Sequence, residues 1–109
     1  MLASTNTAIS AVQLARFAAT LREQRRFRTA QIRTLRSSQC RNQYDPNEEI
    51  RRTILTGAIT ALADTDAALA RIAEGSYGHC TDCAKPLLID QLEARPQAPR
   101  CTDCEWWRS

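Results

Sequence analysis

Glycine and aromatic residues are scarce in this chain, which holds three glycines and two each of Trp, Tyr and Phe among 109 residues. A strand-rich sandwich draws on β-branched and aromatic faces and on glycine-bearing turns, so this composition, beside abundant Ala, Leu, Arg and Thr, predicts a mainly α fold. No apolar run approaches the roughly 20 residues that span a bilayer. The opening MLASTNTAISAV also lacks a charged leader followed by an unbroken apolar block, and a soluble, cytoplasmic chain with no membrane partner is expected. The length suits one modest domain, or a compact module on an extended element, and disfavours a large enclosed active site. No enzyme is expected.

Acidic residues are nearly missing from one stretch. Between Arg16 and Arg41 there are eight arginines against one acid, Glu23, whereas from Asp45 onward eleven acids face seven basic residues. The formal charge of +3 therefore hides a basic first half. A charge run is usually a solvated face, here one that Asp64, Asp66 and Glu74 can partly pair; the functional alternative is docking to an acidic protein channel or to phosphates.

Cysteine is absent from the first 39 residues, and four of the five fall in HCTDCAKPLLIDQLEARPQAPRCTDC, residues 79 to 104. Cys80-x2-Cys83, seventeen intervening residues and Cys101-x2-Cys104 match the spacing of a four-cysteine zinc site, because each tight turn aims two thiolates at one ion. Four protein ligands close the coordination shell, so one structural Zn2+ is expected and no activated water. The segment from Gly75 onward is too short to fold on apolar burial alone, and zinc can contribute about 10 to 16 kcal/mol of apparent folding free energy. The rival reading, thioredoxin-like redox pairs, lacks the βαβ surroundings that such motifs need. His79 reads as a packing or surface residue and not a fifth ligand, and Cys40 as an ordinary free thiol.

From about Thr7 to Cys40 there is no Gly or Pro, and Leu14, Phe17, Leu21, Ile32 and Leu35 follow three- and four-residue steps interrupted by Arg25 and Arg28. One long helix is predicted, with STNT offering several N-caps. A second series, Leu55, Ile59 or Ala58, Leu62, Thr65, Leu69 and Ile72, predicts another helix ending at Gly75. Gly57 inside it suggests a close helix approach or local flexibility. Asp45, Pro46 and Glu48 read as N-cap, first-turn proline and capping-box acid. Two long helices with a short connection run antiparallel, giving a coiled-coil hairpin over residues 1–74 with its tip near 41–48, and a four-cysteine zinc-finger module over 75–109. Such a rod has little interior to enclose a substrate but can reach into a partner.

Arg71 to Gly78 (RIAEGSYG), Cys80 and Cys83, Leu92 to Pro96 (LEARP), and Cys101 and Cys104 together resemble the DksA/TraR family of bacterial transcription regulators. The resemblance is close over roughly the C-terminal 45 residues and by pattern elsewhere. It implies a factor that binds RNA polymerase directly, without a sequence-specific DNA site, and inserts its coiled coil through the secondary channel so that an acidic tip alters promoter complexes. Carried over by position, Asp45 is the candidate tip acid with Glu48 and Glu49 beside it, and Cys80, Cys83, Cys101 and Cys104 hold zinc. Arg25, Arg28, Arg33, Arg36 and Arg95 are candidate polymerase contacts, and the protein is expected to act as a monomer. Five residues follow Cys104, which leaves no counterpart for the C-terminal helix of larger members and leaves dependence on guanosine tetraphosphate open.

The competing function is a zinc-ribbon protein that lays its arginine-rich first helix on nucleic acid phosphates; a structural adaptor that dimerises through its helices is a third. From Gly75 onward, five acids and four basic residues give the module no positive face. Trp106 and Trp107 are expected to cover the zinc module or the hairpin's base, with a partner-facing anchor as the alternative.

Overall fold

A hairpin of two long helices dominates the computed structural model, which describes residues 9–39 and 47–108. Helix α1 spans Ala11–Gln39 and α2 spans Glu48–Glu74; two short helices follow, α3 over Ile89–Ala94 and α4 over Thr102–Arg108. Among the described residues there is no strand, only an isolated antiparallel bridge between His79 and Pro86. The molecule is elongated, 61 × 30 × 21 Å. Cys40, Asp45 and Pro46, and with them most of the expected tip, lie outside the described residues.

Both helix starts differ from expectation. Helix α1 is capped by Ser10 and not by STNT: the Gln13 N–H donates to Ser10 Oγ at 3.1 Å, and Ser10 N–H donates back to Gln13 Oε1 at 3.0 Å. This is a capping box built on S-x-x-Q, and it satisfies two donors that a helix start otherwise leaves open. Ile9 and Leu14, on either side of the cap, both pack against the core. Helix α2 begins at Glu48 with Asn47 in the N-cap position, two residues later than Asp45 and Pro46 suggested. The Glu48 carboxylate accepts from Arg51 and, at 3.3 Å, from Arg52 one turn along the same helix.

The end of α2 follows the sequence. Gly75 takes the left-handed conformation (φ +83), and the N–H groups of Gly75 and Ser76 donate to the carbonyls of Ile72 (3.2 Å) and Arg71 (2.9 Å).

Phe17, Leu21 and Ile32 on α1 are buried, as their spacing predicted, and on α2 it is Ala58 and not Ile59 that turns inward. The buried alanines Ala18, Ala58 and Ala68 offer little bulk at the contact. Thr65, fully buried among them, donates its hydroxyl to the Ala61 carbonyl at 2.8 Å and so carries no open donor into the seam. Arg25, which interrupts the apolar series of α1, reaches Asp66 across the hairpin at 2.7 Å. That contact bridges the two helices at mid-arm, where the apolar series of α1 is interrupted.

The main core lies at the hairpin's base. Phe17 and Leu21 from α1, Ala68 from α2, and Tyr77, Cys80, Leu87 and Leu92 from the following segment form one buried cluster. Gly78, at φ +90, lets this segment pass close to the start of α1, for a Cβ there would sit 2.5 Å from Ile9 Cδ1. Gly57 shows the opposite: a Cβ at that position meets nothing within 4 Å, so the expected close approach is not formed.

The two glycines give opposite expectations. Gly57→Ala should stabilise the chain by about 0.5–1 kcal/mol through helix propensity and raise its thermal midpoint. Gly78→Ala should lower that midpoint, since it adds a clash to a backbone conformation alanine avoids. Parallel melting curves followed by circular dichroism check both.

Candidate metal centre

The sequence Cys-Thr-Asp-Cys occurs twice, at residues 80–83 and 101–104. The first copy forms a tight turn: the N–H groups of Asp82 and Cys83 approach Cys80 Sγ at 3.4 and 3.5 Å, and Ala84 N–H donates to the Cys80 carbonyl at 2.9 Å. Ala84 itself lies at φ 66, where a residue with a Cβ is uncommon. Cys80 N–H donates to the Lys85 carbonyl at 2.8 Å and Leu87 N–H to that of Gly78 at 2.7 Å, closing the loop on itself. The second copy leads into α4, with Cys104 N–H near Cys101 Sγ at 3.5 Å and Glu105 N–H donating to the Cys101 carbonyl at 2.9 Å. Thr81 N–H, bonded to the Pro99 carbonyl at 2.8 Å, holds the two turns together.

All four sulfurs lie within 4.8 Å of one another. Cys83 Sγ and Cys101 Sγ are 3.7 Å apart, close to the roughly 3.8 Å edge of a tetrahedron with metal–sulfur bonds of about 2.3 Å. The donor set thus fits a thiophilic divalent ion with a closed shell. Burial pushes the Cys80 thiol up, but the backbone N–H groups of residues 101, 83 and 82 outweigh it and bring its pKa down to about 6. Cys104 is held well above the ordinary thiol range, first by its bond to Cys101 and then by its bond to Cys83. Four sulfurs this close share protons unless a cation replaces them. His79 is not part of the group.

The centre is joined to the hairpin through buried side chains. Cys80 is 3% exposed and belongs to the same core cluster as Leu21 and Leu92, and Cys101 and Cys104 pack against that cluster. Tyr77 sets its ring 5.9 Å from that of Phe17, tilted by 50°, and donates its hydroxyl to the Pro96 carbonyl at 2.8 Å. Arg71 reaches the Gln97 carbonyl at 3.3 Å, and Gln91 Nε2 reaches that of Arg100 at 2.9 Å. Neither Tyr77 nor the Ser10–Gln13 box stood out in the sequence as a positioning element; the S-x-x-Q pattern was the readable signal for the second.

The candidate contact arginines are dispersed along the molecule. Arg25 pairs with Asp66, and Arg95 lies 3.9 Å from Asp64 near the base. Arg28 donates to Gln31 Oε1 at 2.9 Å and sits 5.5 Å from the centre of the Phe27 ring. Arg33 and Arg36 border a groove of about 650 Å³ floored by Ile32, Ile59 and Leu62. Glu49 is exposed at the start of α2. The two tryptophans do not cover the module: Trp106 is 76% and Trp107 84% exposed. Trp106 falls about 200° round α4 from Cys104, facing away from the sulfurs, and Tyr77, Leu87 and Leu92 fill the core in their place.

No family model matches the chain. A 44-residue stretch is 36% identical to the RNA polymerase-binding transcription factor DksA of two Caulobacter vibrioides strains, covering 40% of this chain and 31% of the relatives' length. Among solved structures, transcription factor DksA2 from Pseudomonas aeruginosa superposes with a TM-score of 0.79 at 22% identity, over 94% of this chain and 87% of that one, which speaks to the fold. The DnaK suppressor protein from Agrobacterium tumefaciens C58 gives 0.68 at 26% identity, over 92% and 97%.

Two measurements test the construction of this centre. A Cys80→Ser chain should lose the intense thiolate-to-metal absorption that Co2+ gives when added to the wild type, and should melt at lower temperature. Tyr77 supplies a pH test. Burial, offset in part by Arg71, raises its pKa to about 12, so its contribution to stability is complete below the ordinary value near 10 and lost as pH climbs towards 12. The wild type should loosen across that interval, and Tyr77→Phe should start less stable and lose that share of the pH dependence.

Proposed function

Because the chain belongs to the DksA family by its fold and its four-cysteine module, we propose that it binds RNA polymerase directly and regulates transcription initiation without performing catalysis. The observation that carries this reading is the shape: two antiparallel helices of 29 and 27 residues project from a module of a few dozen. At 1.5 Å per residue the arm is roughly 40 Å long and too thin to enclose a substrate. Residues 1–74 act as the probe and 75–109 as its head, working in the cytoplasm as a single copy.

In this account the arm enters the polymerase secondary channel tip first. Asp45, with Glu48 and Glu49 on the following turn, brings negative charge towards the catalytic centre, where a carboxylate perturbs nearby cations or nucleic acid by its field alone. The engagement of Glu48 by Arg51 and Arg52 leaves Glu49 as the more available of the two acids on α2, beside Asp45 as the candidate carried over by position. Among the contact arginines, Arg33 and Arg36 border the groove on the distal arm, beyond the base where Arg95 meets Asp64, and so would lie deepest in the channel. Cys80, Cys83, Cys101 and Cys104 hold one Zn2+, whose shell they close, so the ion braces the head and activates no water.

Asp45→Asn keeps the size of the side chain while removing its charge. It should retain binding to polymerase core and lose most of the effect on promoter complexes in a transcription assay with purified components. Unchanged regulation would remove Asp45 from the tip. The arginine-rich α1 favours one rival, direct binding to DNA. A parallel titration on DNA alone separates the two, since that mode predicts affinity falling with salt at a logarithmic slope of about 0.9 per neutralised phosphate.

A further inference from the structure

The two flanks of the arm differ. Arg33 and Arg36 border one, beside Ile59 and Leu62. The other carries a seam of α2 made by Ile50, Ile54, Gly57 and Ala61, whose steps of four, three and four residues keep them on one stripe. That stripe lies within about 40° of the side of the helix opposite Ile59. It is open to solvent: Ile50 is 59% and Ile54 46% exposed, and a Cβ at Gly57 meets nothing within 4 Å. Counted along the antiparallel helices from the Arg25–Asp66 contact, Leu35 of α1 stands level with the middle of the seam.

In chain order the seam is two large side chains followed by two small ones. Laid against its own copy running the other way, it matches itself: Ile50 lies over the partner's Ala61 and Ile54 over the partner's Gly57, a large side chain on a small one each time. Laid parallel to its copy, it sets isoleucine on isoleucine and leaves a gap at the glycines. An antiparallel second copy of α2 is thus the occupant with the complementary profile. Charge agrees. The seam holds no charged residue, whereas Arg33 and Arg36 on the opposite flank would set cation against cation in a symmetric pair. Without a row of cations the seam also offers nothing to phosphates.

We propose that this seam is the contact of a weak, reversible homodimer, in which α2 packs antiparallel on α2 of a second copy about a two-fold axis between Ile54 and Gly57. The seam runs about 17 Å along the helix. That is short beside the interfaces of permanent dimers, so pairing depends on concentration. The pairing stands apart from the function proposed above but bears on it. A doubled arm is too thick for a channel that admits one, and the single copy remains the acting form.

Sedimentation velocity between low micromolar and near-millimolar concentration tests the pair on wild type, Gly57→Leu, Ile54→Lys and Ile59→Lys, with melting curves on all four. Wild type should pass from monomer to dimer, and Ile59→Lys should do the same. Ile54→Lys should weaken association about tenfold or more by setting two cations beside the axis. Gly57→Leu should weaken it by a similar factor although it adds apolar surface, because it fills the hollow that takes the partner's Ile54. In chains carrying 13C-labelled isoleucine methyl groups, the Ile50 and Ile54 resonances should move with concentration and that of Ile59 should not. Wild type that stays monomeric throughout overturns the pairing, and if it binds polymerase core the proposed function stands alone. A dimer that Gly57→Leu strengthens is indiscriminate apolar contact, and one that Ile59→Lys abolishes lies on the other flank; either overturns the pairing. A monomeric wild type whose binding to polymerase core is lost in Ile54→Lys assigns the seam to that partner and overturns it too. The expected pattern of dimers, beside no binding of polymerase core by any of the four chains, upholds the pairing and removes the proposed function.

Discussion

The buried seam where the hairpin meets the cysteine module is the constraint on which everything else depends. Leu21 from α1, Ala68 from α2 and Leu92 from α3 are fully enclosed in a cluster that also takes in Cys80. Two paired helices enclose little volume, and a segment of a few dozen residues encloses less. Each completes the other: the hairpin supplies Phe17 and Leu21, and the module supplies Tyr77, Leu87 and Leu92. The sulfur cluster thereby gains a mechanical role. An ion bound by the two turns would also hold the apolar side chains between them against the base of the arm.

Away from the base the arm is bound more lightly. Its middle is polar on α1, with Gln24, Arg25 and Arg28 in place of the apolar step, and the Arg25–Asp66 pair spans it with both side chains about half exposed. Exposed pairs of this kind contribute about 0–1 kcal/mol. They orient the helices more than they hold them. Apolar contact returns at Ile32 and Ala58, so the arm is gripped at two levels with a more polar stretch of α1 between. A rod built in this way keeps its length while its surface stays charged.

Charge is distributed by element. The arginines of α1 run along the shaft, the acids Glu48 and Glu49 lie where α2 begins, and Asp103 and Glu105 lie on the head beside the exposed tryptophans. A uniformly basic surface would favour phosphates indiscriminately. The head, where acids and arginines are mixed, lacks the basic run of the shaft.

Local patterns in the sequence were enough to determine the helical class, the four-cysteine group and the close of α2. The spacing of Leu14, Phe17 and Leu21 declares a buried face, two C-x2-C turns declare a shared ligand, and Gly75 declares a left-handed stop, each through atoms only a few residues apart. Where α2 starts was misread, because an Asp-Pro pair is a strong local signal and Asn47 a weaker one. Three outcomes were decided only in three dimensions. Ala58 was chosen over Ile59 by the rotation of α2 against α1, Arg25 met Asp66 across 41 residues of sequence, and both tryptophans were left in solvent once Tyr77 and Leu92 had filled the base. Competition for a small core is settled by which side chains the packed helices bring to it, and no single segment contains that information.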